Sequence, residues 1–310
     1  MNFNFKGLPE LFARFPDDAS ARHYFESLRW DGCPKCPYCG SNKYSKLKCG
    51  KRYKCYNKKC YKTYSVTVGT VFESSRIPMN IWFAALYLIS AHKKGISSYQ
   101  LGRDLCVTQK TAWFMLHRLR EAMRDKAIDM LKNIVEIDET YVGGKIANKH
   151  KKVRAAAKDK AKKHTFNKSA VMGFVERKGK VTLKVFSEYK DDIKAIIAQH
   201  VDERADIMTD GSTAYNNLDQ VYNSHGIVRH VLDEFVIGNI HTNTVEGLFS
   251  HLKRMVIGIY HHMSAKHIGR YCDELAYRFN FREMADNVRF THALNRTVGR
   301  LSYKQLTGKA

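Results

Sequence analysis

The chain has 310 residues, 44% hydrophobic and 12% aromatic, which suffices for two or three modest domains and excludes disorder as an overall description. Lys and Arg number 53 against 30 Asp and Glu, and the net charge of +23 attracts polyanions, nucleic acid foremost. No apolar run reaches bilayer length and Met1 to Pro16 lacks the order of a secretory signal, so the expectation is a soluble intracellular protein with no membrane partner.

A leader from Leu8 to Leu28, with Leu11, Phe12, Phe15, Tyr24 and Phe25, predicts short helices. Six of the eight cysteines then fall between Cys33 and Cys60. In an intracellular protein they read as metal ligands before disulfides. Cys36-x2-Cys39 and, fifteen residues later, Cys55-x4-Cys60 form two knuckles that supply the tetrahedral sulfur site of a structural Zn²⁺. Gly40 permits the turn after the second cysteine. Cys33 and Cys49 are spare, and either can stand in for a ligand, with Cys60 set off by the wider gap. Lys51, Arg52 and Lys54 belong to a basic cluster on this module, interleaved with Tyr44, Tyr53 and Tyr56, suited to phosphate contact or simply to a solvated face. The β-branched run Tyr64 to Val71 predicts a strand closing the module.

From Pro78 to Lys132 the periodicity is helical. One helix begins with Ile81, Phe83, Ala84 and Leu86, a second runs from Ser98 to Leu105, and a third runs from Gln109 to Met123. Ser97, Ser98 and Thr108 stand where N-caps belong. The last two helices read as a helix-turn-helix whose opening residues Gln109, Lys110 and Thr111 reach a major groove, or as an ordinary helical hairpin.

A new regime starts at Asn133. Ile134 to Asp138, Ser169 to Val175 and Lys180 to Ser187 predict three antiparallel strands, the last two joined at Lys178-Gly179. A helix from Asp191 to His200, a strand from Ala205 to Thr209, and helices from Thr244 to Val256 and His267 to Phe281 follow. The order βββαβ and then helices matches an α/β, ribonuclease-H-like catalytic domain with a mixed sheet. Residues 145–168 hold ten Lys or Arg and one acid, Asp159, and predict a mobile basic insertion. The expected division is leader and zinc ribbon over 1–72, helical module over 73–132, catalytic domain over 133–285 and tail over 286–310.

Asp138 and Asp210 each end an apolar strand, where an unpaired carboxylate is costly unless it meets a cation or a donor. Alone, Asp210-Gly211 reads as a turn, and Glu246 as a helix-start charge capped by Thr242 or Asn243. Glu246 and Lys253 are seven residues apart and share a helix face, so the acid can meet metals while the lysine meets a phosphate. Strand alternation puts Glu136 on Asp138's face and Glu139 on the opposite one; these two and Asp206 are neighbours that could be mistaken for the acidic set.

The sequence resembles bacterial insertion-sequence transposases of the DDE class with an N-terminal zinc ribbon, the ISXO2-like group. The resemblance rests on Cys-Pro-Tyr-Cys-Gly at 36–40, Ser-Val-Thr-Val-Gly-Thr-Val-Phe at 65–72 and Lys-Thr-Ala-Trp-Phe-Met-Leu-His-Arg-Leu-Arg at 110–120. It continues in Glu-Ile-Asp-Glu-Thr-Tyr-Val-Gly-Gly-Lys at 136–145, Thr-Asp-Gly-Ser at 209–212, His-Thr-Asn-Thr-Val-Glu at 241–246, Lys253-Arg254 and Tyr277 to Arg282. It implies an acidic triad of Asp138, Asp210 and Glu246 that holds two Mg²⁺ or Mn²⁺, with Lys253 orienting a phosphate. Arg254 is a further expected DNA contact, and His241 and Asn243 are expected to touch either DNA or the metal-holding residues, with helix capping the other reading of Asn243. It also implies double-stranded DNA partners, namely terminal inverted repeats and target, a working complex of at least two chains, and a nucleoid-associated place in a bacterial cytoplasm. A nuclease of the same fold without strand joining and a catalytically inert zinc-ribbon regulator are the rival expectations.

Overall fold

The computed structural model describes residues 5–125, 129–144, 148, 150, 151, 154, 168–187, 192–229 and 234–308. Most of the basic insertion expected at 145–168, and the start of the helix expected at Asp191, lie outside the described residues. The chain divides into two compact units, Met1–Met123 with Glu283–Ala310, and Arg124–Arg282.

In the first unit, α1 (Leu8–Arg14) and α2 (Asp18–Trp30) realise the leader. A capping box, in which the Asp17 side chain accepts the Ser20 N–H, starts α2, and Asp31 in the left-handed region ends it. Next come three short antiparallel strands in the order β1 (Tyr44–Lys46), β2 (Tyr53–Cys55) and β3 (Thr63–Tyr64). The strand expected over Tyr64 to Val71 stops at Tyr64. Gly69, at φ 75°, turns the backbone, Val68 and Thr70 N–H groups bond back to Ser65 and Thr67, and only an isolated bridge, Thr70 to Val298, remains. Val66 and Val71 are β-branched here because they are buried in a turn.

Helix α3 (Met79–Ala91) is apolar on nearly all sides, as a central core helix must be, and packs against α2 and against α9 (Asp286–Asn295). Arg289 of α9 donates to the Ser90 carbonyl. Helix α4 (Ser98–Asp104) is capped by Ser97, and α5 (Gln109–Met123) begins after a turn in which Cys106 takes φ 51°. A Cβ on Gly102 would lie 2.9 Å from the Val107 carbonyl, so this turn needs glycine there. A short α10 (Tyr303–Thr307) closes the unit.

The second unit is built on a five-stranded sheet of β4 (Ile134–Val142), β5 (Ser169–Glu176), β6 (Val181–Phe186), β7 (Asp206–Asp210) and β8 (Ser224–Val228). Its spatial order is β6-β5-β4-β7-β8. The first three strands are antiparallel, and β7 and β8 run parallel to β4. This order is consistent with a ribonuclease-H-like sheet; β8 went unread in the sequence because Ser-His-Gly-Ile-Val is short and only half apolar. One face, with Val135, Ile137, Phe174 and Ile207, packs on α6 (Ile193–Ala198) and the segment around Tyr215. The other, with Val142, Val171 and Val175, packs on α7 (Asn243–Met255) and α8 (Ile268–Asn280). Among the described residues, no helix is long and apolar enough to cross a membrane.

Candidate active site

The sulfurs of Cys36, Cys39, Cys55 and Cys60 lie within 4.8 Å of one another. Cys36 to Cys60 is 3.8 Å and Cys39 to Cys55 is 3.6 Å. Zn–S bonds of about 2.3 Å in a tetrahedron put sulfurs roughly 3.8 Å apart, so the donor set fits zinc. The first knuckle is made by Gly40 N–H bonding to Cys36 O and Cys36 N–H to Ser41 O, with Gly40 at φ 71°. In the second, the Asn57 N–H donates to Cys55 Sγ at 3.4 Å and Cys60 N–H to Asn57 O. Burial pushes the Cys36 thiol up to about 12, a cost that a bound cation removes by holding the thiolate. Cys33 and Cys49 are exposed and stand outside the cluster.

Around this site Tyr53 stacks on Tyr64 and meets Trp30 edge-on, which makes it core, whereas Tyr44 and Tyr56 are exposed. Arg52 is exposed and Lys54 half-buried. Lys51 extends its ammonium to Asp18 Oδ2 at 2.7 Å. Burial acts to raise the Asp18 carboxyl, but Lys51, Arg22 and the Met79 N–H outweigh it and hold the pKa down to about 2.

At the start of α5, Thr108 Oγ1 accepts the Thr111 N–H, the cap expected from the sequence. Gln109 and Lys110 are exposed and Thr111 half-buried. The Gln109 amide donates to Ser98 Oγ, tying the two helices of the turn together.

The acidic residues lie in the second unit. Parallel pairing of β4 and β7 runs Ile134↔Asp206, Val135↔Ile207 and Glu136↔Met208, and Asp138 and Asp210 each lie two residues beyond that last pair. Asp138 pairs across β5 with Gly173, where an added Cβ would lie 2.9 Å from Phe249 and Val245 of α7. Glycine there lets α7 close onto the face Asp138 occupies, and Glu246 follows Val245 on that helix. Asp138 Oδ1 accepts the Glu139 N–H at 2.7 Å, Asp210 Oδ1 accepts the Ser212 N–H at 3.1 Å, and Glu246 Oε1 accepts the Thr242 hydroxyl at 3.0 Å.

Burial raises the Asp138 pKa to about 7, and the charges of Glu139, Asp210 and Glu246 add to it against the Glu139 N–H. The site thus holds more negative charge than it can neutralise. Hard, clustered carboxylates in that condition suit a divalent cation. Asp138 feels the charge of Asp210 and Glu246, yet among the described residues only the four cysteines gather three or more such ligand atoms within 4.8 Å. Glu139 lies on the opposite face, where Tyr215 donates to its carboxylate.

Lys253 and Arg254 are exposed near the end of α7, with Lys253 two turns from Glu246, and Asn243 is exposed at the helix start. His241 is half-buried, its Nδ1 3.2 Å from Glu136 Oε1 but off the line of a hydrogen bond. Three residues that sequence reasoning gave no role at this site are Glu136, Arg177 and Gly173. Glu136 had a usable signal, an acid inside an apolar strand two residues before Asp138.

Residues 130–280 match the ISXO2-like transposase domain, and residues 16–63 match a transposase zinc-ribbon domain. The chain is also similar to an uncharacterised protein in the transposable element ISH50 of Halobacterium salinarum. The two are 28% identical over 253 residues, covering 77% of this chain and 83% of the relative.

Proposed function

The chain belongs to the ISXO2-like transposases with a zinc ribbon, and on that premise we propose that it binds the inverted terminal repeats of an insertion sequence and catalyses divalent-metal-dependent cleavage and strand transfer of DNA. The observation that carries this reading is the placement of Asp138 on the face of a sheet of ribonuclease-H-like order on which α7, the helix of Glu246, packs, where burial and nearby acids, Asp210 and Glu246 among them, push its pKa up to about 7. In the proposed division, residues 1–72 and 73–132 grip DNA and 133–285 carry the chemistry, while 286–310, expected as a tail, instead packs α9 onto α3 in the first unit.

Asp138, Asp210 and Glu246 are the residues that would hold the ions. A bound pair of Mg²⁺ or Mn²⁺ would supply charge neutralisation and polarise the attacking and leaving oxygens. Water first displaces the 3′-oxygen from phosphorus at the transposon end, releasing a 3′-hydroxyl and a 5′-phosphate. That 3′-hydroxyl then displaces a 3′-oxygen of target DNA at the same centre. Lys253 neutralises a non-bridging phosphate oxygen as charge develops there. Arg52, Lys54, Gln109, Lys110, Thr111, Asn243 and Arg254 meet the duplex, and Lys51 and His241 join them to the extent that DNA draws them from Asp18 and Glu136. The pairing of two transposon ends calls for at least a dimer.

The test is incubation of purified protein with labelled terminal repeat, target plasmid and Mg²⁺ or Mn²⁺. Cleavage and joining by the wild type, both lost in Asp138→Ala, is the expected outcome. Cleavage without joining favours a nuclease, and metal-dependent cleavage by both proteins alike rejects the site.

A further inference from the structure

The helix that carries Glu246 is capped from another element. Thr242 occupies the cap position of α7, but its side chain makes no bond to the helix's first amides. Glu136, fully buried on β4, takes that place: its Oε2 accepts the Thr244 N–H at 2.7 Å and the Val245 N–H at 3.0 Å. Its Oε1 accepts the Thr244 hydroxyl at 2.9 Å and Arg177 Nε at 2.7 Å. The remaining Arg177 nitrogens donate to Asn239 O, Asn239 Oδ1 and His241 O, fixing the loop that leads into α7.

A carboxylate buried this completely is costly unless several donors meet it. Here a guanidinium, a hydroxyl and the positive end of a thirteen-residue helix do so. A threonine at the cap position ordinarily turns its oxygen to those same amides. With the amides taken by Glu136, the Thr242 hydroxyl donates instead to Glu246 Oε1 at 3.0 Å.

We propose that Glu136 and Thr242 are positioning residues of the cleavage centre: Glu136, braced by Arg177, sets the start of α7 against β4, and this releases Thr242 to fix the Glu246 carboxylate in its orientation toward Asp138. The proposal rests on the reading of Asp138, Asp210 and Glu246 as the ion-holding acids. A device for stability alone would need the Glu136 cap but not the Thr242 hydroxyl.

Thr242→Val separates these, because it keeps the residue's shape and leaves the Glu136 cap intact. Mn²⁺ binding to the DNA-free protein is followed by titration, alongside cleavage of labelled terminal repeat and the melting temperature. Thr242→Val melts as the wild type does, binds Mn²⁺ about tenfold more weakly and cleaves about tenfold more slowly, whereas Thr242→Ser recovers both. Glu136→Gln shows the same metal defect and loses hydrogen-exchange protection at the Thr244 and Val245 amides. Mn²⁺ affinity and cleavage at wild-type levels in Thr242→Val overturn the proposal while the acidic site stands. Mn²⁺ binding that is equal in wild type and Asp138→Ala overturns the site itself, and the proposal with it.

Discussion

Asp138 and Asp210 each lie two residues beyond Glu136 and Met208, the last paired residues of the neighbouring parallel strands β4 and β7. Asp138 follows Ile137 and Asp210 follows Thr209, and strand alternation puts both acids on the face opposite Val135, Ile137 and Ile207. Two carboxylates so placed repel, which is part of why the Asp138 pKa stands at about 7. Asp210→Asn removes one charge, so Asp138 titrates lower and the metal-free protein melts higher. Cleavage of terminal repeats is lost all the same, by about a hundredfold or more, because a ligand is gone. Parallel melting and cleavage assays check this pair of opposite effects; a lower metal-free melting temperature contradicts the repulsion.

The same raised pKa predicts how stability depends on pH. A carboxyl that holds its proton more tightly when folded than its ordinary 3.8 stabilises the fold fully below that value. The contribution is lost as pH rises through about 7, and a shift of this size is on the order of a few kcal/mol. Metal-free protein therefore shows a share of its stability disappearing between about pH 4 and pH 7, and Asp138→Asn, which stays neutral, lacks that pH dependence. Divalent ions compete with the proton, so Mg²⁺ raises the melting temperature more at pH 8 than at pH 5. Scanning fluorimetry across this range, with and without Mg²⁺, measures both; identical curves for wild type and Asp138→Asn refute the assignment.

The ribbon makes a different demand. Its three strands are two or three residues long and cannot fold on apolar burial alone. Cys36→Ser or Cys55→Ser abolishes binding of one zinc per chain, measured by metal analysis, and unfolds the segment around 36–64. Cys33→Ser and Cys49→Ser, at exposed positions outside the cluster, keep the metal. Retention of zinc after loss of a clustered cysteine refutes the ligand set.

What was legible in the sequence was what repeats or clusters locally. The cysteine spacing, the apolar strand ending in Asp210, and the periodicity of Gln109 to Met123 all state their structure within a short window, whereas the strand expected to end at Asp138 runs on to Val142 because Thr140 and Val142 keep pairing with β5. Tyr64 to Val71 misled because β-branched residues fit a buried turn as well as a strand. The capping of α7 by Glu136 was illegible for the opposite reason. Its donors, at Thr244 and Val245, are more than a hundred residues away, and local reading assigns the cap to Thr242 or Asn243.

Gly173 is the contact that makes the acidic face possible, and its replacement tests the geometry without touching a charged group. It pairs with Asp138, and the space a side chain would take is filled by the Phe249 ring and a Val245 methyl. A Cβ at 2.9 Å from both cannot be accommodated by rotation of one flexible tip, because both neighbours belong to α7 and are buried. Gly173→Ala must move the helix, at a cost of about 1–3 kcal/mol in urea denaturation. Glu246 moves with it, away from Asp138, and cleavage falls about tenfold or more while duplex binding is unchanged. Phe249→Leu, added to Gly173→Ala, reopens part of the space and restores part of both stability and cleavage. Full activity in Gly173→Ala alone would mean that α7 need not lie this close to the sheet for the chemistry to proceed.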